Sequence, residues 1–252
     1  MGGRIDVYID VVNLYSASLY SYLGFLFLLK DTPAYTANKV QVVYHPVLLG
    51  AINKVSGNKP PFSLPAKAKY GIYDSQRSCE RAGVPEVRPP PDFMARAVTV
   101  LPLRALHYIL RNFANDTYVA AFHYLFYRFW TPENADLRDP EVLKAVLRDA
   151  PAGFNGKSSA AADAKPMFTV SDVDAILAGA SAQEAKDQLT AATKEATDRG
   201  AYGAPWLWVT NDAGVSEPFF GSDRFHFVYK FLGLPYQDVA LLDAPASRGG
   251  KL

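Results

Sequence analysis

Between residues 13 and 25 the chain reads Asn-Leu-Tyr-Ser-Ala-Ser-Leu-Tyr-Ser-Tyr-Leu-Gly-Phe, which crowds the hydroxyls of Ser16, Ser18 and Ser21 into one junction. An apolar, strand-like run precedes it and a helix-like run follows. Hydroxyls at such a place either cap the helix by accepting from its free amides, or serve the activation of a thiol, whose reactive form is the thiolate. The doubled element, Leu14-Tyr15-Ser16 and Leu19-Tyr20-Ser21, leaves open which serine stands at the turn.

Other reactive groups are sparse. Cys79 is the single cysteine, so no intramolecular disulfide, CxxC redox pair or cysteine-based zinc site can be built, and a reducing compartment is expected. His45, His107, His123 and His226 lack ligand spacing, so no metal is expected. His45, before Pro46, reads as a strand-end residue without a catalytic role, and Cys79 as a packing or surface residue. A net charge of +1 argues against nucleic acid or an anionic membrane as partner. With 49% hydrophobic and 20% charged residues the composition is that of an ordinary globular chain. Asp6 and Asp10 interrupt the apolar start, against a signal peptide, and the longest apolar run, Tyr20 to Leu29, is too short to span a bilayer.

The elements that must position these groups follow from periodicity. Ile5, Val7, Ile9 and Val11 alternate with Arg4, Asp6, Tyr8 and Asp10, the pattern of a half-buried strand. A buried helix is expected over Tyr22 to Lys30, and a second strand over Val40 to Tyr44, closed by Pro46. Strand, helix and strand in about forty residues make a βαβ unit with parallel strands. Pro205 to Thr210 and Pro218 to Phe220 are short strands around Asn211-Asp212-Ala213-Gly214, a hairpin signal. A last helix runs from Arg224 to Leu232 and stops at Gly233. Between the halves the chain is helical over Leu101 to Phe113, Tyr118 to Trp130 and Pro140 to Arg148. A further helix starts at the capping-box spacing Ser181-Ala182-Gln183-Glu184 and is ended by Gly200. Pro151 to Lys165 reads as a mobile loop. The order βαβ, helices, ββα is an α/β thioredoxin-like fold with a large all-helical insertion. The expected units are 1–67 with 200–235, then 68–199, and a tail over 236–252.

Four stretches resemble the kappa-class glutathione transferases and the related hydroxychromene-carboxylate isomerases. Ser18-Leu19-Tyr20-Ser21-Tyr22-Leu23-Gly24-Phe25 looks like the family's S-P-Y-S-[WY]-L-[GA]-F segment. Ser56-Gly57-Asn58-Lys59-Pro60-Pro61, followed by Leu64-Pro65-Ala66-Lys67, is similar to S-G-N-K-P-P…L-P-R-K. Gly200-Ala201-Tyr202-Gly203-Ala204-Pro205 resembles the G-A-F-G-x-P turn, and Phe220-Gly221-Ser222-Asp223-Arg224 resembles F-G-S-D-R.

The resemblance implies glutathione as cosubstrate, a small hydrophobic electrophile as second substrate, and a homodimer. It implies a serine at a helix N-terminus as the group that activates the thiol, with a hydroxyl donor and the positive end of the helix dipole both favouring the thiolate. Aligning the helix puts Ser18 in that place, with Ser16 as rival, while counting from Asp10 would put Asn13 there. Leu19 stands where the family often has proline. Ala204 and Pro205 are implied to form a cis peptide that presents backbone groups to the cysteinyl unit. Asn58 would bond the peptide portion, Lys67 would face the glycyl carboxylate, and Ser222 and Asp223 would hold the γ-glutamyl end. The ordinary alternatives are a trans proline, a solvated lysine and a plain helix cap at Ser222. Peroxide reduction, a glutathione-dependent isomerisation, and glutathione binding with little catalysis are the other activities the resemblance leaves open. Family members occur in cytosol, mitochondria and peroxisomes, and Gly250-Lys251-Leu252 only weakly resembles a peroxisomal address.

Overall fold

A computed structural model of the chain describes residues 2–12, 40–82, 87–154, 164–221 and 224–236. The alternating run at the start forms β1 (Arg4–Ile9), which lies inside a four-stranded sheet. It pairs in parallel with β2 (Gln41–Pro46), Ile5 opposite Val42 and Ile9 opposite Pro46. On its other edge it pairs antiparallel with β3 (Trp206–Thr210), which in turn pairs with β4 (Ser216–Phe220), giving the order β2-β1-β3-β4. The expected parallel pair and hairpin are therefore present. Asn211 closes the hairpin by accepting from the amides of Ala213 and Val215. The helix expected over Tyr22 to Lys30 lies outside the described residues.

One expectation is corrected: β1 is buried on both faces. Ile5, Val7 and Ile9 enter the main core, while Tyr8 packs with Val47, Ile52, Ala196 and Trp206 on the opposite side. Asp6 is only 4% exposed. Burial pushes its carboxyl up, but hydrogen bonds from His45 and Arg4 outweigh burial and hold it well below the usual carboxylate range. A polar residue in the alternation thus marks a satisfied charge under a covering layer.

That layer is α1 (Leu49–Ser56) and α8 (Gln183–Asp198). Leu48 donates its amide to Thr193 of α8, and Arg199 stacks between the rings of Tyr8 and Trp208. After α1 a 3₁₀ turn (Pro61–Ser63) leads into α2 (Pro65–Ala82). Then come the one-turn α3 (Phe93–Arg96), α4 (Val100–Asn112), α5 (Asn115–Trp130), α6 (Pro140–Arg148) and α7 (Val170–Ser181), and α9 (Phe225–Phe231) follows the sheet. Cys79 is buried on α2, and the aromatic residues Phe122, Phe126, Phe129 and Trp130 of α5 are core. Residues 93–112 are apolar and long enough by composition to cross a membrane, but α3 and α4 divide them and α4 buries six residues.

Helix ends depart from expectation at one place. Ser181 does not cap α8: it ends α7, and its hydroxyl donates to the Leu177 carbonyl. The residue before α8 is Ala182, which has no capping side chain. The reciprocal capping box forms instead at Thr169 and Asp172, at the start of α7. Pro140 does open α6, capped by Asp139. Of the stretch expected to be a loop, residues 155–163 lie outside the described set, and its ends are paired, Pro151 with Pro166.

His107 locks α4 across the end of β2 by donating Nε2–H to the Pro46 carbonyl at 2.9 Å. Burial pushes its imidazole down to about 4, the Pro46 bond opposing this less strongly. Its stabilising contribution is therefore complete above the unfolded value near ~6.5 and is lost as pH falls through the folded one. Urea unfolding of the wild type should lose stability between those limits. His107→Gln should flatten that dependence by about 1.4 kcal/mol per pH unit; an unchanged slope would show that His107 is not the titrating group.

Candidate functional site

The C-terminal end of β1, the loop after α1, the start of α2 and the turn into β3 surround one cleft of about 980 Å³. Its walls are dictated by local chemistry. Gly57, with φ of 72°, ends α1 in the left-handed conformation, and the chain leaves the helix so that Asn58 meets the turn into β3. Asn58 Nδ2 donates to the Tyr202 carbonyl at 2.7 Å, joining two segments 144 residues apart. Ser56 supports the same corner by accepting from the Asn58 amide.

Across the cleft, the Ala204–Pro205 peptide is cis, and the Gly221 amide donates to the Pro205 carbonyl. Tyr202 and Phe220 pack at 4.5 Å between ring centres, with Trp206 against both. Gly203 makes this possible, because a Cβ there would lie 2.8 Å from the Phe220 ring.

Asn58, Lys67, Ala204 and Pro205, expected as site residues, all line this cleft. Lys67 is exposed at its rim, on the first turn of α2. Ser16, Ser18, Ser222 and Asp223 lie outside the described residues, but Val12 before the serine junction and Gly221 and Arg224 on either side of Ser222-Asp223 are on the wall. Sequence reasoning passed over Asn53, Tyr202, Phe220 and Arg224 as site residues. The last three lie inside or beside motifs it quoted, so their neighbourhood was the available signal.

Among the described residues the cleft carries Lys59, Lys67 and Arg224 against Asp74, an excess of positive charge suited to an anionic ligand. Beneath it, burial pushes the Asp10 carboxyl up to about 6, although the Leu49 amide, the Thr99 hydroxyl and the amides of Val12 and Val11 all favour its ionised form. Trp130 donates its indole N–H to the Val11 carbonyl at 3.0 Å. The same Trp130 lines a second cavity of about 260 Å³ with Ile72, Cys79 and Val87, and this cavity shares Phe62 and Lys67 with the cleft. Among the described residues no group of three or more His, Cys, Asp or Glu side chains is arranged to hold a metal ion.

Residues 4–233 match the DSBA-like thioredoxin domain family. The chain is 31% identical over 238 residues to glutathione S-transferase kappa 1 of Caenorhabditis elegans, covering 92% of each. It is 27% identical over 231 residues to glutathione S-transferase kappa 1 of Homo sapiens, covering 91% of this chain and 90% of the other. In three dimensions it superposes on 2-hydroxychromene-2-carboxylate isomerase with a TM-score of 0.66 at 18% identity, over 91% of this chain and 94% of that one. A structure described as a probable DsbA oxidoreductase of Streptomyces coelicolor superposes at 0.58 and 17% identity, over 98% and 97%. These two likenesses establish the fold.

The aromatic corner is a test of the cleft's construction. Gly203→Ala should displace the Phe220 ring and cost about 1–2 kcal/mol in urea unfolding. Gly50→Ala, with open space around its Cβ and a helical position, should be neutral or slightly stabilising. Equal effects at the two glycines would mean that the corner is not tightly packed.

Proposed function

Because the chain belongs to the DSBA-like thioredoxin domain family and, by its 31% identity over 92% of its length, to the kappa-class glutathione transferases, we propose that it binds glutathione along the described cleft and joins its sulfur to a small apolar electrophile. The observation that carries this reading is the convergence of Asn58, Lys67, Ala204 and Pro205, from motifs far apart in sequence, on one positively charged cleft at the end of β1. Glutathione is an extended peptide with two carboxylates, and it needs acceptors and donors along its backbone with cations at its ends.

In this reading Asn58 and the backbone beside Pro205 hold the peptide units, Lys67 faces the glycyl carboxylate, and Ser222 and Asp223 hold the γ-glutamyl carboxylate and ammonium. Ser18, with Ser16 as rival, donates its hydroxyl to the sulfur. A free thiol near pKa ~8.5 is mostly protonated at neutral pH. A hydroxyl donor and a helix N-terminus lower that value by stabilising the thiolate, and the thiol proton leaves to solvent. The thiolate then attacks the electrophilic carbon; a C–S bond forms and the leaving group departs with the bonding pair. Holding both reactants in contact supplies most of the rate. The 260 Å³ apolar cavity behind Phe62 supports an electrophile of single-ring size. Tyr70, Ile72 and Tyr73, exposed on α2, support a homodimer, which light scattering of the purified protein would test.

Calorimetric titration with glutathione should show binding. Conjugation of 1-chloro-2,4-dinitrobenzene should then be slowed about 10- to 100-fold by Ser18→Ala, with the bound thiol's pKa raised, because a bond to a charged sulfur is lost. Ser16→Ala should do little, and the reverse pattern would move the role to Ser16. Asn58→Ala should raise KM for glutathione about 5- to 10-fold. Turnover that leaves glutathione unconsumed would instead identify an isomerase, and binding without turnover on a broad electrophile panel would identify a glutathione-binding protein.

A further inference from the structure

Asp10 follows β1 directly, has no exposed surface, and lies where three parts of the chain meet. Its Oδ2 accepts from the Leu49 amide at 2.9 Å, and its Oδ1 accepts from the Thr99 hydroxyl at 2.7 Å and the Val12 amide at 3.2 Å. Leu49 is the first residue of α1, whose preceding residue, Leu48, has no capping side chain. Asp10 supplies from another element the acceptor that a capping residue ordinarily supplies locally.

Thr99 precedes α4 and has a side chain suited to capping it, yet it makes no capping bond. Its hydroxyl is turned to Asp10 instead. A threonine in that position ordinarily caps its own helix, so the local preference has yielded to the carboxylate. The N-termini of two helices, each favouring negative charge, converge on this one buried group.

Each of the three donors belongs to a wall of the cleft. Val12 is itself a wall residue, Leu49 opens the helix that carries Gly50 and Asn53, and Thr99 closes the segment that carries Phe93, Met94 and Ala97. We propose that Asp10 is the positioning residue of the cleft, a single carboxylate whose three hydrogen bonds set where the turn leaving β1, the α1 wall and the α3 wall stand relative to one another. The role in glutathione binding rests on the function proposed above; the coupling of the three walls does not. A carboxylate is suited to this task because two oxygens accept from three directions at once and its charge strengthens each bond. Removing it would leave the Leu49 amide, the Val12 amide and the Thr99 hydroxyl without this acceptor, the last two of them buried, at a cost in free energy for each.

The test uses the full chain. Asp10→Asn retains the shape but turns an amide N–H₂ toward one of the donors. Thr99→Val removes one donor and leaves the carboxylate with its two backbone bonds, and Thr99→Ser restores the hydroxyl. Without ligand, hydrogen exchange read by mass spectrometry should accelerate at least 10-fold together in peptides covering 49–58 and 93–99 of Asp10→Asn, while α5 and α7 keep wild-type protection. Thr99→Val should raise KM for glutathione about fivefold with kcat within twofold, and Thr99→Ser should return KM to the wild-type value. Exchange that rises uniformly, or only around residue 10, would overturn the proposal, as would a Thr99→Val protein that melts earlier with KM unchanged. Failure of the wild type to bind glutathione would overturn the function reading alone, and the exchange pattern would still decide the role of Asp10. Should Asp10→Asn not fold, the Thr99 pair carries the same comparison.

Discussion

Hydrogen bonding along both edges of β1 is the constraint on which the cleft depends. A strand paired on two sides and packed on both faces cannot slide, because a shift of one residue would exchange the side chains that fit its two different cores. The parallel pairing brings Pro46 level with Ile9, so α1 must start beside the end of β1. The antiparallel pairing brings Trp206 level with Tyr8, so the Ala204–Pro205 corner arrives at the same end. Asn58 and Tyr202 then meet although 144 residues separate them.

Burial of β1 on both faces makes polar residues there expensive, and the chain meets this cost differently at Asp6 within the strand and at Asp10 just after it. Asp6 is held ionised by Arg4 and His45, with Arg199 also near. Asp10 has no cation at hydrogen-bonding distance among the described residues; it is held by backbone amides, those of Leu49 and Val12 among them, and by the Thr99 hydroxyl. The difference follows from position. Asp6 lies mid-strand beneath a layer that reaches solvent at its edge, where long cationic side chains can snorkel. Asp10 lies where the start of α1 and the residue before α4 meet, and there amides and a hydroxyl offset only part of the cost of burial, which still pushes the carboxyl up.

Much of this was legible in the amino-acid order. Alternation located β1, β-rich runs located β2 and β3, Asn211 to Gly214 located the hairpin turn, and Pro140 located the start of α6. Ser181 misled because a serine three residues before a glutamate has capping spacing wherever it occurs, while the α7 helix simply runs on through Ser181 before the chain turns. The period of β1 misled in another way: alternation with acids reads as one wet face, since sequence does not record which distant helix will cover it. Asn58 was legible through its motif, but its contact with the Tyr202 carbonyl was not, and neither was the closeness of Phe220 to Gly203.

By itself the sequence determined the order of the four strands and of α4, α5, α6, α8 and α9, the lack of a cysteine pair, and the motifs that carry the family resemblance, because these depend on residue type and on spacing within a few turns of chain; α1 and α7 it did not show. The tertiary structure alone decided that Asp10 would serve Leu49 and Thr99, 39 and 89 residues away. It also decided that one cleft would gather Val12, Asn58, Lys67 and Pro205. Those outcomes are long-range: hydrogen bonds to a buried carboxylate gain their strength from exclusion of water, and water is excluded only once sheet and helices have closed around it.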